Sequence, residues 1–319
     1  MNISSFRGSS IILSFGLALA PLAVAPAQDA EPGEAISRIV VTGDELPSAY
    51  GAPESFSRSR FSPTTTAYVL APGEFFGSLI YQGDALRFNR PDHRFTQEFE
   101  VGLPHRFGLA IENSVEEYRG CFQERTFSVE ARYALADWNK IPLNPTIFVE
   151  WKFGIGNILH DEGPPEPPAP GEAIDFLNKM MPLPDAYEVR LLLSQDFNHR
   201  AEWALNGFFE QEVGGDRGRE YGFAQSLMFP VAAHERLKIG GEMLFTTFTD
   251  KGIRDMPSYR CVIGPSLSWK PSRNTRLDVS PLFGVTDDSP RASVFVVFSM
   301  LFGGHGAGEA EAPASTRNR

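Results

Sequence analysis

Cysteine is nearly absent from this 319-residue chain: Cys121 and Cys261 are the whole complement. Two thiols in so long a chain build no disulfide framework, and the plain expectation is that they stay unpaired. Beyond residue 27 there is no run of about 18 apolar residues, which excludes a helical membrane span. Positive charge is in deficit, with 29 Lys and Arg against 40 Asp and Glu for a net −11, and that balance argues against nucleic acid as a partner. The six histidines, His93, His105, His160, His199, His234 and His305, fall mostly where turns, loops or the tail are expected. No Ser follows any of them at the second position. His160-Asp161-Glu162 gathers metal-capable side chains, but in a stretch that reads as a solvated loop. The expectation is therefore of no catalytic residue, no cofactor and no metal.

The one long apolar run lies at the N-terminus, from Ile11 to Val24, with Arg7 before it and the A-x-A pattern Ala25-Pro26-Ala27 after it. That is a secretory signal peptide over 1–27, and no Cys follows the cleavage site to carry a lipid anchor. Its removal takes away one positive charge, so the mature chain from Gln28 carries −11 − 1 = −12.

What the chain has in abundance is alternation. In TIFVEWKFGIG, residues 146–156, Ile147, Val149, Trp151, Phe153 and Ile155 fall on one side and Phe148, Glu150, Lys152 and Gly154 on the other. That period of two belongs to a strand, not a helix. FSVEARYAL from Phe127, YEVRLLLSQ from Tyr187, FTQEFEVGL from Phe95 and AEWALNGFFEQEV from Ala201 repeat the layout, with charges mid-strand on one face only. The pattern predicts about twelve strands, near 74–83, 94–103, 106–117, 125–135, 145–156, 186–196, 201–212, 219–229, 236–248, 258–269, 275–285 and 292–302. Each is close to the roughly 9 to 11 residues that a tilted strand needs to cross a bilayer.

The connections alternate too. Pro104-His105, Asp196 to His199, Ala233 to Glu235 and Pro271 to Asn274 are tight; Gly83 to His93, Gly156 to Asp185, Gly214 to Arg219, Asp250 to Pro257 and Thr286 to Pro290 are longer or richer in Gly, Pro and charge. Short periplasmic turns and long outer loops give this rhythm, and an even strand number puts both chain ends on the periplasmic side. The link Ala136 to Asn144 is too long for the scheme. Within the long 156–185 segment, Ile174, Phe176, Leu177, Met180 and Met181 can form one face of a short helix over the barrel mouth.

The rival architecture is a secreted β-sandwich. Against it, the apolar face is large and aromatic in nearly every strand, the opposite face carries Glu or Arg at its middle, and no strand shows the protective breaks of a sheet edge. Trp203, Trp269, Tyr187, Tyr221 and Tyr259 sit toward strand ends as interfacial girdles require, with Trp151 nearer mid-strand. The expected fold is thus all-β: a transmembrane antiparallel up-and-down β-barrel of about twelve strands over 74–302, with a periplasmic arm or small lumen plug at 28–73 and a tail at 303–319.

If that holds, alternation sends Glu98, Glu100, Glu112, Glu116, Glu130, Glu150, Glu188, Glu202, Glu210, Glu212, Glu242 and Asp278 into the lumen. The same count sends in Arg132, Lys152, Arg190, Lys238, Arg260 and Arg276, so acid exceeds base two to one. A water-filled lumen of that sign favours cations. Neighbouring Glu130/Arg132, Glu150/Lys152 and Glu188/Arg190 can equally pair into a lattice that only fills the barrel.

Three resemblances accompany these readings. The last strand, ASVFVVFSMLF ending at Phe302, resembles the terminal strand by which outer-membrane barrel proteins are recognised by the barrel-assembly machinery, except that residues 303–319 follow it. Ile39-Val40-Val41-Thr42-Gly43 resembles the Ton box of TonB-dependent receptors, which implies a periplasmic TonB-like partner, although about thirty residues before the first strand leave no room for a folded plug. As a whole the chain resembles Gram-negative outer-membrane β-barrels of about twelve strands, including the porin-like channels associated with aromatic-compound degradation operons. The resemblance implies residence among outer-membrane lipid and passive passage of small solutes or ions. The alternatives are a plugged structural or surface-interaction barrel and, further off, an outer-membrane enzyme, for which the His-x-Ser arrangement of barrel phospholipases is missing.

Overall fold

A computed structural model describes residues 63–86, 91–118, 121–157, 182–197, 200–231, 234–252, 254–272 and 274–303. The signal peptide, the Ton-box-like residues Ile39, Val40, Val41 and Thr42, His160-Asp161-Glu162, the 174–181 stretch and the tail from 304 lie outside the described residues.

Twelve strands follow in chain order: β1 (Glu74–Ala85), β2 (Asp92–Leu103), β3 (Phe107–Tyr118), β4 (Cys121–Ala134), β5 (Thr146–Gly154), β6 (Ala186–Asp196), β7 (Glu202–Glu212), β8 (Arg219–Val231), β9 (His234–Thr249), β10 (Ser258–Trp269), β11 (Thr275–Gly284) and β12 (Ala292–Gly303). Each pairs antiparallel with its chain neighbours, and β1 pairs β12 from Glu74↔Gly303 to Ala85↔Ala292, which closes the ring. Closure leaves no strand edge with free N–H and C=O groups, the condition for crossing a membrane as a sheet. All twelve expected strands are present; the largest boundary difference is β4, which begins four residues earlier than its apolar pattern.

The sidedness is that of a membrane barrel. Along β5 buried and exposed positions alternate from Thr146, with Phe148 and Glu150 buried and Ile147, Val149, Trp151 and Phe153 facing out. Leu79, Phe99, Ile111, Phe127, Val189, Leu227, Ile239, Ile263, Phe283 and Phe298 extend this outward apolar band around the ring. The inner face buries Glu98, Glu130, Glu188, Asn206, Glu242, Asp278 and a set of serines. Water would reverse that arrangement, because it rewards burying the large apolar groups; lipid rewards showing them.

Call the two rims the turn end, where the links 104–106, 135–145, 197–201, 232–233 and 270–274 lie, and the loop end. Both β1 and β12 meet the turn end with the outer termini of the sheet, Glu74 opposite Gly303. Tyr133, Trp203 and Trp269 stand near the turn end, and Tyr187, Tyr221 and Tyr259 near the loop end, forming two aromatic belts. Trp151, the mid-strand misfit, lies directly opposite Tyr187: β5 is short and stops at Gly154, so its Trp belongs to the loop-end belt. Cys261 is a free thiol on β10, and β10 lies across the ring from the strand that carries Cys121.

Candidate functional site

The lumen is crossed by the chain's own N-terminal segment. Residues 64–70, Thr-Thr-Thr-Ala-Tyr-Val-Leu, are all buried, none more than 3% exposed. This strap has no regular secondary structure, bends at Ala67 and joins the inner wall through its backbone. Thr64 N donates to Glu242 Oε2 at 3.4 Å on β9, and Thr65 exchanges two bonds with the Asn206 carboxamide on β7, both 2.7 Å. Ala67 N donates to Ser194 Oγ at 2.8 Å on β6, and Thr146 Oγ1 on β5 donates to the Ala67 carbonyl at 2.7 Å. Three of the strap's seven amides, those of Thr64, Thr65 and Ala67, thus bond side chains of the inner wall rather than a neighbouring strand.

Two glycines make room for it: a Cβ on Gly102 would collide with the carbonyls of Leu70 and Ala71, and one on Gly108 would crowd Val69. Ala67 packs on Phe148 and Leu192, while Tyr68, Val69 and Leu70 cluster with Phe76, Ala134 and Trp138. Trp138 comes from the over-long link between β4 and β5. Its ring meets Tyr68 edge-on at 6.2 Å, and the link is pinned by Asn144, whose Nδ2 donates to the Ser194 carbonyl at 2.9 Å. Leu143 adopts φ 65 there, a left-handed conformation unusual for a branched side chain. The extra length of this link is therefore structural: it floors the lumen at the turn end.

Beyond the strap, toward the loop end, runs a row of glutamates in strict register: Glu130↔Glu150↔Glu188↔Glu210↔Glu220 across β4 to β8. Like charges directly opposed repel, and three cations answer them. Lys152 Nζ lies 2.8 Å from Glu188, 2.5 Å from Glu210 and 3.7 Å from Glu150. Arg190 pairs with Glu188, and Arg132 reaches Glu98, Glu100 and Glu130 at 3.5, 3.4 and 3.5 Å. Phe148 is held between the two guanidinium groups, 5.4 Å from Arg132 and 5.0 Å from Arg190. Carboxylate oxygens of Glu112, Glu130 and Glu150 come within 4.8 Å of one another, close enough to share a cation. Counting Glu98, Glu100 and Glu112 with the row gives eight carboxyl groups against three cations.

The rest of the wall is different. From β10 round to β1 it presents Ser266, Ser268, Ser280, Ser293, Ser299 and Ser78 with Val262, Leu282, Phe295 and Val297, all buried. Ser266 and Ser280 bond each other at 2.7 Å and both reach Glu242 Oε1, at 2.9 and 3.2 Å. Arg276 and Asp278 on β11 pair at 2.8 Å, and outside this stretch of wall Lys238 on β9 pairs with Glu202 on β7. Where the two kinds of wall meet at the loop end, a cavity of about 840 Å³ opens, lined among others by Arg94, Glu116, Arg125, Glu220, Leu244, Phe248, Arg260 and Phe295. Glu116 takes both Arg94 and Arg125 there.

Alternation therefore places Glu98, Glu100, Glu112, Glu130, Arg132, Glu150, Lys152, Glu188, Arg190, Glu210, Glu242 and Asp278 on the inner wall, and Arg260 at the loop-end cavity. Nine of these, from Glu98 to Glu210 apart from Glu112, are ion-paired on β2 to β7, in one group about Arg132 and a second about Lys152 and Arg190; Glu242 belongs to the strap and Asp278 to the serine wall. Sequence reasoning missed Glu220, Phe148, Trp138 and the strap's contacts. The signal for the strap was present in TTTAYVL, a β-prone, uncharged run too short and too early to be a spanning strand.

No protein-family profile matches the chain, and no curated protein matches it. Among solved structures, an outer membrane channel from Pseudomonas putida F1 superposes with a TM-score of 0.47 at 10% identity, over 73% of this chain and 97% of that one. The KdgM porin gives 0.42 at 14% identity over 70% and 99%, and the NanC porin 0.42 at 9% over 71% and 98%. At such scores the function has to be argued from the geometry.

Proposed function

We propose that this protein is an outer-membrane channel for small solutes, cation-favouring and closed in its resting state by its own N-terminal strap. The observation that carries it is the in-register glutamate row in a lumen that, among the described residues, has a cavity of about 840 Å³ at its loop end and residues 64–70 across its turn end. Carboxylates in excess on a low-dielectric wall lower the energy of a passing cation and raise that of an anion. The apolar exterior and the secretory signal read from the sequence support outer-membrane residence, with the turn end and both chain ends periplasmic and the loop end facing outward. In that orientation solute enters through the 840 Å³ cavity, meets the glutamate row and leaves only where the strap yields. The reading is non-enzymatic, and outer-membrane lipid and the assembly machinery are the partners it requires. A TonB-like protein acting on Ile39 to Thr42 is a separate proposal, tested by binding of a peptide spanning residues 34–51.

A second reading has one specific observation in its favour. The strap is fully buried and bonded to β5, β6, β7 and β9, so it can serve as a permanent filling, making the barrel a structural or surface-interaction scaffold. Planar-bilayer conductance separates the two. The mature chain and a form beginning at residue 72 are refolded and recorded side by side; the channel reading expects discrete, cation-preferring steps that become larger or more frequent without the strap. Silence from both forms, each shown to be folded, sinks it in favour of the scaffold.

A further inference from the structure

Lipid should meet only apolar side chains at the middle of a barrel wall, and at two places on this one it does not: at Gln225 on β8, and at a pair of carboxamides on β2 and β3. Gln97 is the sixth of twelve residues in β2 and Asn113 the seventh of twelve in β3, both on the outward face and directly opposite each other. Two carboxamides therefore sit side by side at mid-membrane, and neither makes a side-chain hydrogen bond among the described residues. They line an outer groove of about 420 Å³, opened by the missing side chain of Gly77 and bordered by Leu79, Phe298 and Met300. Leu79 stands 58% exposed beside it as a ridge. An amide facing hydrocarbon has lost its hydrogen bonds to water and gained nothing, so polar groups at this depth normally face another protein.

We propose that the β12–β1–β2–β3–β4 face is a dimer interface in the membrane, occupied by a second copy of this chain. Charge complementarity selects that partner. Each carboxamide carries both a donor NH2 and an acceptor carbonyl, so a two-fold axis through the pair sets Gln97 against Asn113 of the other copy and satisfies both ends with the same surface. The ridge at Leu79 and the groove beside it are complementary in the same sense. Five strands about 4.8 Å apart over roughly 25 Å of apolar height offer on the order of 500 Å² per copy, near the lower limit for a specific association. A third mid-wall carboxamide, Gln225 on β8, is half-buried and stands without an amide neighbour, its pairing partners being Leu205 and Met243. It gives the internal control.

The full mature chain, folded in phosphatidylcholine vesicles, is labelled with donor and acceptor dyes and its association read by energy transfer as lipid is added, with native mass spectrometry from detergent for stoichiometry. The wild type is expected to dimerise, the Gln97→Leu/Asn113→Leu double variant to raise the dimer dissociation constant at least tenfold, and Gln225→Leu to change it less than threefold. Both variants are more apolar on the lipid face and are checked for folding by heat-modified gel mobility. A wild type monomeric at every protein-to-lipid ratio overturns the proposal. So does an unchanged dimer in the double variant, or a monomer carrying bound lipid in the groove. None of these readouts depends on whether the lumen conducts.

Discussion

From β2 to β8 the inner wall is a lattice of carboxylates and the cations that hold them; from β10 round to β1 it is serine hydroxyls, valine, leucine and phenylalanine. Both halves are buried in the same lumen and face the same strap. They differ in what their stability depends on. The first half is held by a network of ion pairs, so each member depends on several others; the second, apart from the Arg276–Asp278 pair, is held by hydroxyl hydrogen bonds and close packing, so its members depend less on one another. In the proposed channel the first half decides which solutes pass, and the second offers a surface along which they slide.

The comparison breaks most visibly at Lys152, which touches three glutamates at once. Lys152→Met leaves the row with its like charges unscreened and is expected to destabilise the barrel by about 3–5 kcal/mol, the range for removing one partner of a buried ion pair. The check is the urea midpoint of refolded protein in vesicles, with Lys152→Arg recovering most of the loss.

Trp138 tests what binds the two halves together, since the strap spans from Glu242 on β9 to Thr146 on β5 and rests on this ring. Trp138→Ala is expected to cost about 3 kcal/mol, at the lower end for truncating a buried Trp because the site lies at a rim. In bilayers the same variant should raise open probability several-fold, because the strap loses its floor. Unchanged gating with lowered stability would make the ring a core residue and nothing more.

How much of this was legible in the chain depends on periodicity. The strands and their inward and outward faces were readable because one residue of slip would send every Phe, Val and Trp into the lumen and every Glu into lipid, so register is written strongly. TIFVEWKFG is the plainest case. The glutamate row was readable only in part: alternation says that Glu130, Glu150, Glu188 and Glu210 face in, but the register that puts them side by side depends on the lengths of the links between β4 and β7. The serine wall was overlooked because its inward residues, such as Val297 and Phe295, are as apolar as their outward neighbours Val296 and Phe298, and a strand apolar on both faces has no readable period. The strap was invisible as a contact, since nothing local says which of twelve strands Thr65 will meet.

Glu150 sharpens the comparison from the charged side. It lies between Glu130 and Glu188, and its contact with Lys152 is the longest of the three that this lysine makes, 3.7 Å against 2.8 and 2.5 Å. Glu150→Gln removes a repelling charge while keeping the shape. The expected outcome is a cation-to-anion permeability ratio several-fold nearer unity with stability unchanged or slightly higher, read as the reversal potential of the strap-free form in a salt gradient. A ratio that stays put would mean that selectivity is set elsewhere than at the row.

The smallest effect belongs to the neutral half. Ser280 bonds Ser266 at 2.7 Å and Glu242 at 3.2 Å, so Ser280→Ala removes one hydroxyl from a group that keeps the Ser266 bond to the same carboxylate. A neutral hydrogen bond in a satisfied cluster is worth about 1 kcal/mol, and the β-carbon with its packing contacts is kept. Selectivity should not move, because no formal charge changes and the glutamate row is on the far wall. If Ser280→Ala instead shifts the reversal potential as far as Glu150→Gln does, the division of labour between the two halves is wrong, and Glu242 with its serines has to be counted among the groups that solutes meet.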